Sequence, residues 1–233
     1  MCGRFHLATP PEDVATLFGL SRVPHYEPRY NIAPTQVVGV VREGHKGREW
    51  APMQWGLVPS WAKDASMGAK MINARSETAA EKPAFRSAFK RRRCLVPASG
   101  FYEWQKLDDK AKQPMAIQVL KADTFAMAGL WEHWEGDDGE LETFTILTCA
   151  ANKKLAPIHD RMPVILGPNE WDAWLDPDVG ERPEDRQSLT AMLDPFPASR
   201  MKAFPISRRV NSPANDDPSI LDPVDAPPTN LFS

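Results

Sequence analysis

Proline constrains this chain more than any other feature. There are 23 prolines in 233 residues, scattered from one end to the other. Each locks φ and removes a backbone donor, so none is welcome inside a helix or a central strand. A chain punctuated this often builds loops and short strands rather than a helical bundle.

The apolar runs between the prolines fit that reading. Val37–Val41 reads as a buried strand, and Trp50–Trp55 as its hairpin partner across a Gly-containing turn. Phe101–Lys106 alternates and pairs with 115–120 across the polar turn 108–113. Cys94–Ala98, 125–134, 143–148, 163–166 and 204–210 are further strand candidates. Helices are few: one after the Thr9-Pro10-Pro11-Glu12 start, with Thr9 as cap and Gly19 as stop. Others are short, near 76–80, 83–90, 168–175 and 183–193. Ile72–Arg75 is too short to assign, and 24–34 reads as loop. Strands without βαβ alternation imply one α+β domain. The expected form is a single compact domain of mostly antiparallel β-sheets, with a barrel-like core and a few peripheral helices. Its span is 2–222, leaving 223–233 as a Pro/Asp-rich tail. The composition already shifts at Asn211: residues 211–233 hold five Pro and four Asp but no Lys or Arg. Such a segment is either a wrapped arm or a disordered tail.

The net charge of −3 does not mark a nucleic-acid binder, so such a role would need a local patch. The three cysteines Cys2, Cys94 and Cys149 are too scattered for a disulfide framework. The start lacks the features of a signal peptide, and no apolar run reaches the roughly 20 residues a membrane span needs. These points describe a cytoplasmic, reduced protein without metal, cofactor or membrane association.

Cys2 is the residue with distinctive chemistry. Removal of Met1 would leave a free α-amine (pKa about 7.7–8) beside a thiol (about 8.5). Such a 1,2-aminothiol condenses with an aldehyde to an imine, which the thiol closes into a thiazolidine. A nearby arginine would favour the free amine and the thiolate alike. Glu103 interrupts the aromatic run Phe101-Tyr102-Glu103-Trp104, where a half-buried carboxylate must be paired or held protonated. His159 sits in the polar triplet of Ile158-His159-Asp160-Arg161-Met162-Pro163. Arg4, Arg75 and Arg161 are isolated forks suited to phosphate or to an ion pair. Arg86, Lys90, Arg91, Arg92 and Arg93 form a basic cluster, either a solvated helix end or a phosphate patch. Trp55, Trp61 and Trp104 either stack on bases or pack in the core.

These residues fall in blocks whose order resembles a known family. The blocks are Met1-Cys2-Gly3-Arg4-Phe5, Tyr30-Asn31-Ile32-Ala33-Pro34-Thr35, Trp55-Gly56-Leu57-Val58-Pro59-Ser60-Trp61, and Ile72-Asn73-Ala74-Arg75-Ser76-Glu77-Thr78. Arg93-Cys94-Leu95-Val96-Pro97-Ala98, Gly100-Phe101-Tyr102-Glu103-Trp104 and Ile158-His159-Asp160-Arg161-Met162-Pro163 complete them. The pattern over about residues 2–210 is similar to the SOS-response-associated peptidase (SRAP) family. The resemblance implies an abasic-site sensor that removes its own Met1 and cross-links through Cys2 to ring-opened deoxyribose in single-stranded DNA. It also implies a lyase activity on abasic strands. Carried over residue by residue, the catalytic set is Cys2, Asn73, Glu103 and His159. Asn73 would hold the amine and sugar, Glu103 would move protons, and His159 would act on the sugar and on reversal. Arg4, Arg75 and Arg161 would meet phosphates, and Pro34, Trp61 and Thr148 would shape the strand's path. The basic cluster then leans towards phosphate. The expected form is a cytoplasmic monomer, associated with the nucleoid when bound to DNA. Two other readings stay open: a thiol peptidase acting on other proteins, and a non-covalent reader of modified or single-stranded DNA.

Overall fold

The computed structural model describes residues 2–108, 111–136, 139–180 and 182–225. Thirteen strands and five α-helices are present among them. The strands are β1 (Phe5–Leu7), β2 (Arg29–Ile32), β3 (Val37–Gly44), β4 (Gly47–Trp55), β5 (Asn73–Arg75), β6 (Arg93–Ala98) and β7 (Gly100–Lys106). They continue with β8 (Lys112–Val119), β9 (Phe125–Gly136), β10 (Gly139–Ala150), β11 (Arg161–Pro163), β12 (Ile165–Leu166) and β13 (Met201–Pro205). The helices are α1 (Pro11–Phe18), α2 (Ser76–Ala79), α3 (Arg86–Arg91), α4 (Trp171–Leu175) and α5 (Pro183–Ala191).

Two sheets result. One runs β13-β8-β7-β1-β2. In the other, β10-β4-β3-β6-β9 closes into a ring, because β9 also pairs with β10. Closure removes the two free edges that an open five-stranded sheet would leave exposed. The fold is therefore α+β with a barrel at its centre, as the strand pattern predicts. Pairing is antiparallel except where β4 and β5 run parallel to β10. Phe5 of the open sheet meets Trp55 of the barrel edge-on, with ring centroids 5.2 Å apart, and both are buried. Burial of such aromatics stabilises by roughly 2–3 kcal/mol each, so this contact is a principal tie between the sheets.

Several elements differ from the sequence reading. Residues 29–32 form β2 rather than loop, because β1 supplies an open edge at Phe5 and Leu7. Thr9 does not cap α1; the cap position is Pro10, and the Thr9 hydroxyl bonds Ser99 and Thr124 instead. Gly19 ends that helix in the left-handed region at φ 66°, as expected. The last strand is 201–205, and 208–211 turns into a single 3-10 turn. The turn expected at 108–113 lies partly outside the described residues.

The segment after Asn211 is a wrapped arm over its described length. Asp216 accepts the backbone N–H groups of Tyr30 and Asn31 (2.5 and 2.8 Å) and pairs with Arg29. The Asn31 amide donates to the carbonyls of Val210, Ser212 and Asn215 (3.2, 2.9 and 2.6 Å). Val224 N–H reaches Pro205 O at 3.1 Å, so the packed chain continues past residue 222. The rest of the expected tail, 226–233, lies outside the described residues. No described helix is long and apolar enough to cross a membrane.

Candidate functional site around Cys2

Past the barrel ring, β10 carries on with β5 on one side and β11 on the other. Asn73 lies opposite Ile146 and Arg75 opposite Thr148, while Thr148 and Ala150 face Pro163 and Arg161. Three short strands thus bring residues 73, 75, 148 and 161 onto one patch, which local sequence alone could not do. The chain leading into β1 arrives beside them. The Asn73 Nδ2 donates to the Cys2 carbonyl at 2.8 Å. Asn73 Oδ1 is buried and has no hydrogen-bond partner among the described residues. An orphaned buried acceptor is costly, and it marks a place for a donor.

Cys2 is fully buried. Burial, and then the charge of Glu103, push its thiol well above the ordinary cysteine range. This reverses the expectation of an activated thiolate: desolvation outweighs any cationic field at this position. Glu103 projects from β7 and is 3% exposed; burial raises its pKa to about 7. The aromatic run around it predicted that perturbation. His159 is partly buried, and burial chiefly lowers its pKa. Its Nδ1 accepts the Arg161 backbone N–H at 2.9 Å, so the neutral ring carries its proton on Nε2. Asp160 lies 2.8 Å from the same nitrogen and favours the imidazolium. Asp160 also raises Glu103, so the two titrating groups share one neighbour.

The arginines differ in their commitments. Arg4 Nη1 donates to Asn31 Oδ1 and to Val210 O, both at 2.7 Å, and its guanidinium lies 5.8 Å from the centre of the Trp104 ring. Arg161 is held by Glu77 through two bonds (2.6 and 2.9 Å) and also donates to the Thr148 carbonyl. The Arg75 side chain is exposed and makes no hydrogen bond or ion pair with the described residues. Thr148 is buried, with its hydroxyl 3.4 Å from Ala74 O.

Trp61 is 57% exposed, whereas Trp55 is buried and Trp104 half-buried. The loop carrying Trp61 is pinned at its base. Gly56 has φ 131°, and a Cβ there would stand 2.5 Å from Gly68 O, so both glycines are needed for this close approach. Gly56 N–H bonds Phe144 O at 2.8 Å, and the Trp134 indole bonds Ala62 O at 2.8 Å. Pro34 precedes Thr35, a β-branched residue at φ 69° held by its N–H to Trp55 O at 2.8 Å. A conformation of this kind costs about 1–3 kcal/mol and persists only where its surroundings impose it.

The basic cluster does not behave as a unit. Arg93 is 2% exposed and donates to five backbone carbonyls, those of Phe89, Lys90, Trp174, Asp176 and Val179. It joins the ends of α3 and α4 and is closed to phosphate. Arg92 pairs with Glu132 at 2.6 Å and bonds Ser87. His6 is buried, and burial drops its pKa to about 3. Metal-type donors gather at His133, Glu135 and Glu140, all exposed and within 4.8 Å of one another. They sit about 26 Å along β10 from Thr148 at roughly 3.3 Å per residue, away from this site.

The family model described as SOS response associated peptidase (SRAP) matches residues 1–213. The chain belongs to this family. It is 42% identical over 227 residues to the abasic site processing protein YoqW of Bacillus subtilis, covering 95% of this chain and 99% of that one. It is 31% identical over 230 residues to the abasic site processing protein YedK of Escherichia coli, covering 96% and 100%. A crystal structure of a protein from Bacteroides thetaiotaomicron superimposes with a TM-score of 0.85 at 28% identity, covering 96% and 100%. The resemblance seen in the sequence blocks thus extends over the whole fold of this SRAP chain.

Proposed function

We propose that this SRAP protein processes abasic sites in DNA by covalent capture. Hydrolysis of the Met1–Cys2 peptide bond would free the Cys2 α-amine, with the chain as its own peptidase; Met1 lies outside the described residues. The observation that carries the reading is the orphaned Asn73 Oδ1 beside the Cys2 carbonyl. It offers an acceptor to the released amine or to a sugar hydroxyl at the reacting carbon.

The chemistry follows from the groups present. The amine adds to the aldehyde of ring-opened deoxyribose, and loss of water leaves an iminium. The Cys2 sulfur then attacks the iminium carbon, and its proton passes to a carboxylate. Glu103 suits that transfer. With a pKa of about 7 it is split between acid and base near neutrality. It can donate a proton during ring opening and accept the thiol proton during ring closure. A thiol held neutral by burial needs such a base. The sum is aminothiol plus aldehyde giving thiazolidine plus water. His159 acts on the sugar and in reversal, and strand cleavage through the imine gives the lyase activity.

Arg75, Arg4 and Arg161 serve flanking phosphates, and Trp61 offers a stacking face. Pro34 and Thr148 border the strand's path. The substrate is single-stranded DNA, the protein a monomer, and no cofactor is required. A denaturing gel tests the reading. Wild-type protein should form a retarded band with an abasic strand and none with the intact base. Cys2→Ala should abolish the band, and a band that persists with Cys2→Ala would overturn covalent capture at this residue.

A further inference from the structure

The arm beyond Val210 carries Asp216, Asp217, Asp222 and Asp225 and no Lys or Arg. It nevertheless begins at a carbonyl, Val210 O, that accepts from Arg4, a side chain assigned above to a DNA phosphate. Carboxylates beside the path of a polyanion weaken its binding. Asp216 has another use. Its Oδ1 accepts two consecutive backbone N–H groups, those of Tyr30 and Asn31 at 2.5 and 2.8 Å, and its Oδ2 pairs with Arg29. It also lies outside the span matched by the family model, which ends at residue 213.

Contacts run from Asp216 to Arg4 through Asn31. Asn31 is fully buried. Its two amide hydrogens are shared among the carbonyls of Val210, Ser212 and Asn215. The grip is reciprocal: Asp216 holds the Asn31 N–H, and Asn31 holds the carbonyl of Asn215, the residue before Asp216. The Asn31 Oδ1 is then left for Arg4 Nη1 at 2.7 Å, and Val210 O takes the same nitrogen at 2.7 Å. Both hydrogens of Nη1 are thereby occupied, and Nε is buried. Nη2 is the part of the fork that remains for a phosphate oxygen. The Arg4 main chain is fixed too, its carbonyl accepting the Tyr102 N–H at 2.9 Å. A free arginine side chain must give up rotamer freedom when it meets a phosphate, and one already held gives up less.

We infer that Asp216 is a positioning residue for DNA binding: through Asn31 and the turn at 208–211 it fixes the Arg4 guanidinium with its Nη2 edge free. The inference rests on the assignment of Arg4 to a flanking phosphate.

The test is a double-mutant cycle, read by fluorescence anisotropy on an undamaged single strand. Arg4→Ala should weaken binding about three- to tenfold, as loss of one phosphate contact does. Asp216→Ala should weaken it about two- to tenfold through lost preorganisation. Charge alone predicts the opposite sign, because this variant loses a negative charge. The double variant should bind no more weakly than Arg4→Ala. Asp222→Ala makes the same change in charge at an exposed position further along the arm, and should bind at least as tightly as wild type. If Asp216→Ala does not fold, Asn215→Ala takes its place in the cycle with the same expectation. It breaks the bond from the Asn215 amide to Arg209 O at 2.7 Å and so loosens the same turn from the solvent side. Additive losses in the cycle would overturn the positioning role. So would wild-type binding by Arg4→Ala or by Asp216→Ala, or equal weakening by Asp222→Ala. The cycle needs no lesion. If wild type fails to cross-link an abasic strand, covalent capture falls, while the undamaged strand still decides Asp216.

Discussion

Arg161 commits both terminal nitrogens to Glu77, at 2.6 and 2.9 Å, and so lies at the Cys2 site as half of an ion pair. The pair raises Arg161 and lowers Glu77, chiefly through the hydrogen bonds between them. A phosphate arriving at Arg161 must compete with that carboxylate. Glu77→Gln keeps the shape and removes the competing charge. It should tighten binding of undamaged single strands about three- to tenfold at low salt, since one charge contact to nucleic acid is of that order. Fluorescence anisotropy across a salt series checks this. Weaker binding would show that Glu77 serves to orient Arg161.

Glu103 should leave a signature in stability against pH. Its folded pKa is raised to about 7 from the ordinary glutamate value of 4.5. The folded state therefore binds the extra proton between those values. The group's contribution is fully favourable below about pH 4.5 and is lost as pH rises through 7. Glu103→Gln removes the penalty, so the variant should be more stable than wild type at pH 8 by about 1–3 kcal/mol. The difference should vanish towards pH 4.5. Urea unfolding at both pH values measures it, and the same variant should slow cross-linking more than it weakens binding.

Arg93 makes a different kind of prediction. All five of its N–H donors end on backbone carbonyls in a buried position. Arg93→Ala should cost about 3–5 kcal/mol, because it strands buried acceptors. Arg93→Lys should recover little, since three ammonium donors cannot serve five acceptors in a fixed plane. Denaturant midpoints report both, and the salt slope of DNA binding should stay at the wild-type value in Arg93→Lys.

Gly56 supports the loop that presents Trp61. Gly56→Ala forces a Cβ to 2.5 Å from Gly68 O at φ 131°. A loss of about 2–3 kcal/mol is expected. Trp61→Ala, at an exposed position, should leave stability within about 0.5 kcal/mol of wild type while weakening strand binding by about 1–3 kcal/mol. Thermal melts beside anisotropy titrations separate the two effects.

The legible and illegible parts of this chain divide along physical lines. Apolar runs such as 101–106 and 125–134 announced their strands, and most of their residues are buried. β5 could not be read from three residues, since it exists only through parallel pairing with β10. β2 was hidden likewise, because it exists through antiparallel pairing with the distant β1. At the site, Glu103 stood out as a carboxylate inside an aromatic run, and its raised pKa follows from that burial. The partnership of Arg161 with Glu77, 84 residues apart, left no local trace. Nor did the burial of Arg93, whose neighbours in sequence are cations while its partners in space are carbonyls. The Cys2 thiol was misjudged because sequence suggests charges nearby but does not reveal complete desolvation.

Covalent capture by Cys2 is tested most directly by intact mass under denaturing conditions, after incubation with a strand holding one abasic site. The account predicts a species equal to the protein without Met1 plus the strand minus one water. It should be absent with the intact base, and digestion should place the adduct on Cys2. Protein confirmed to lack Met1 that forms no adduct with the abasic strand would contradict it.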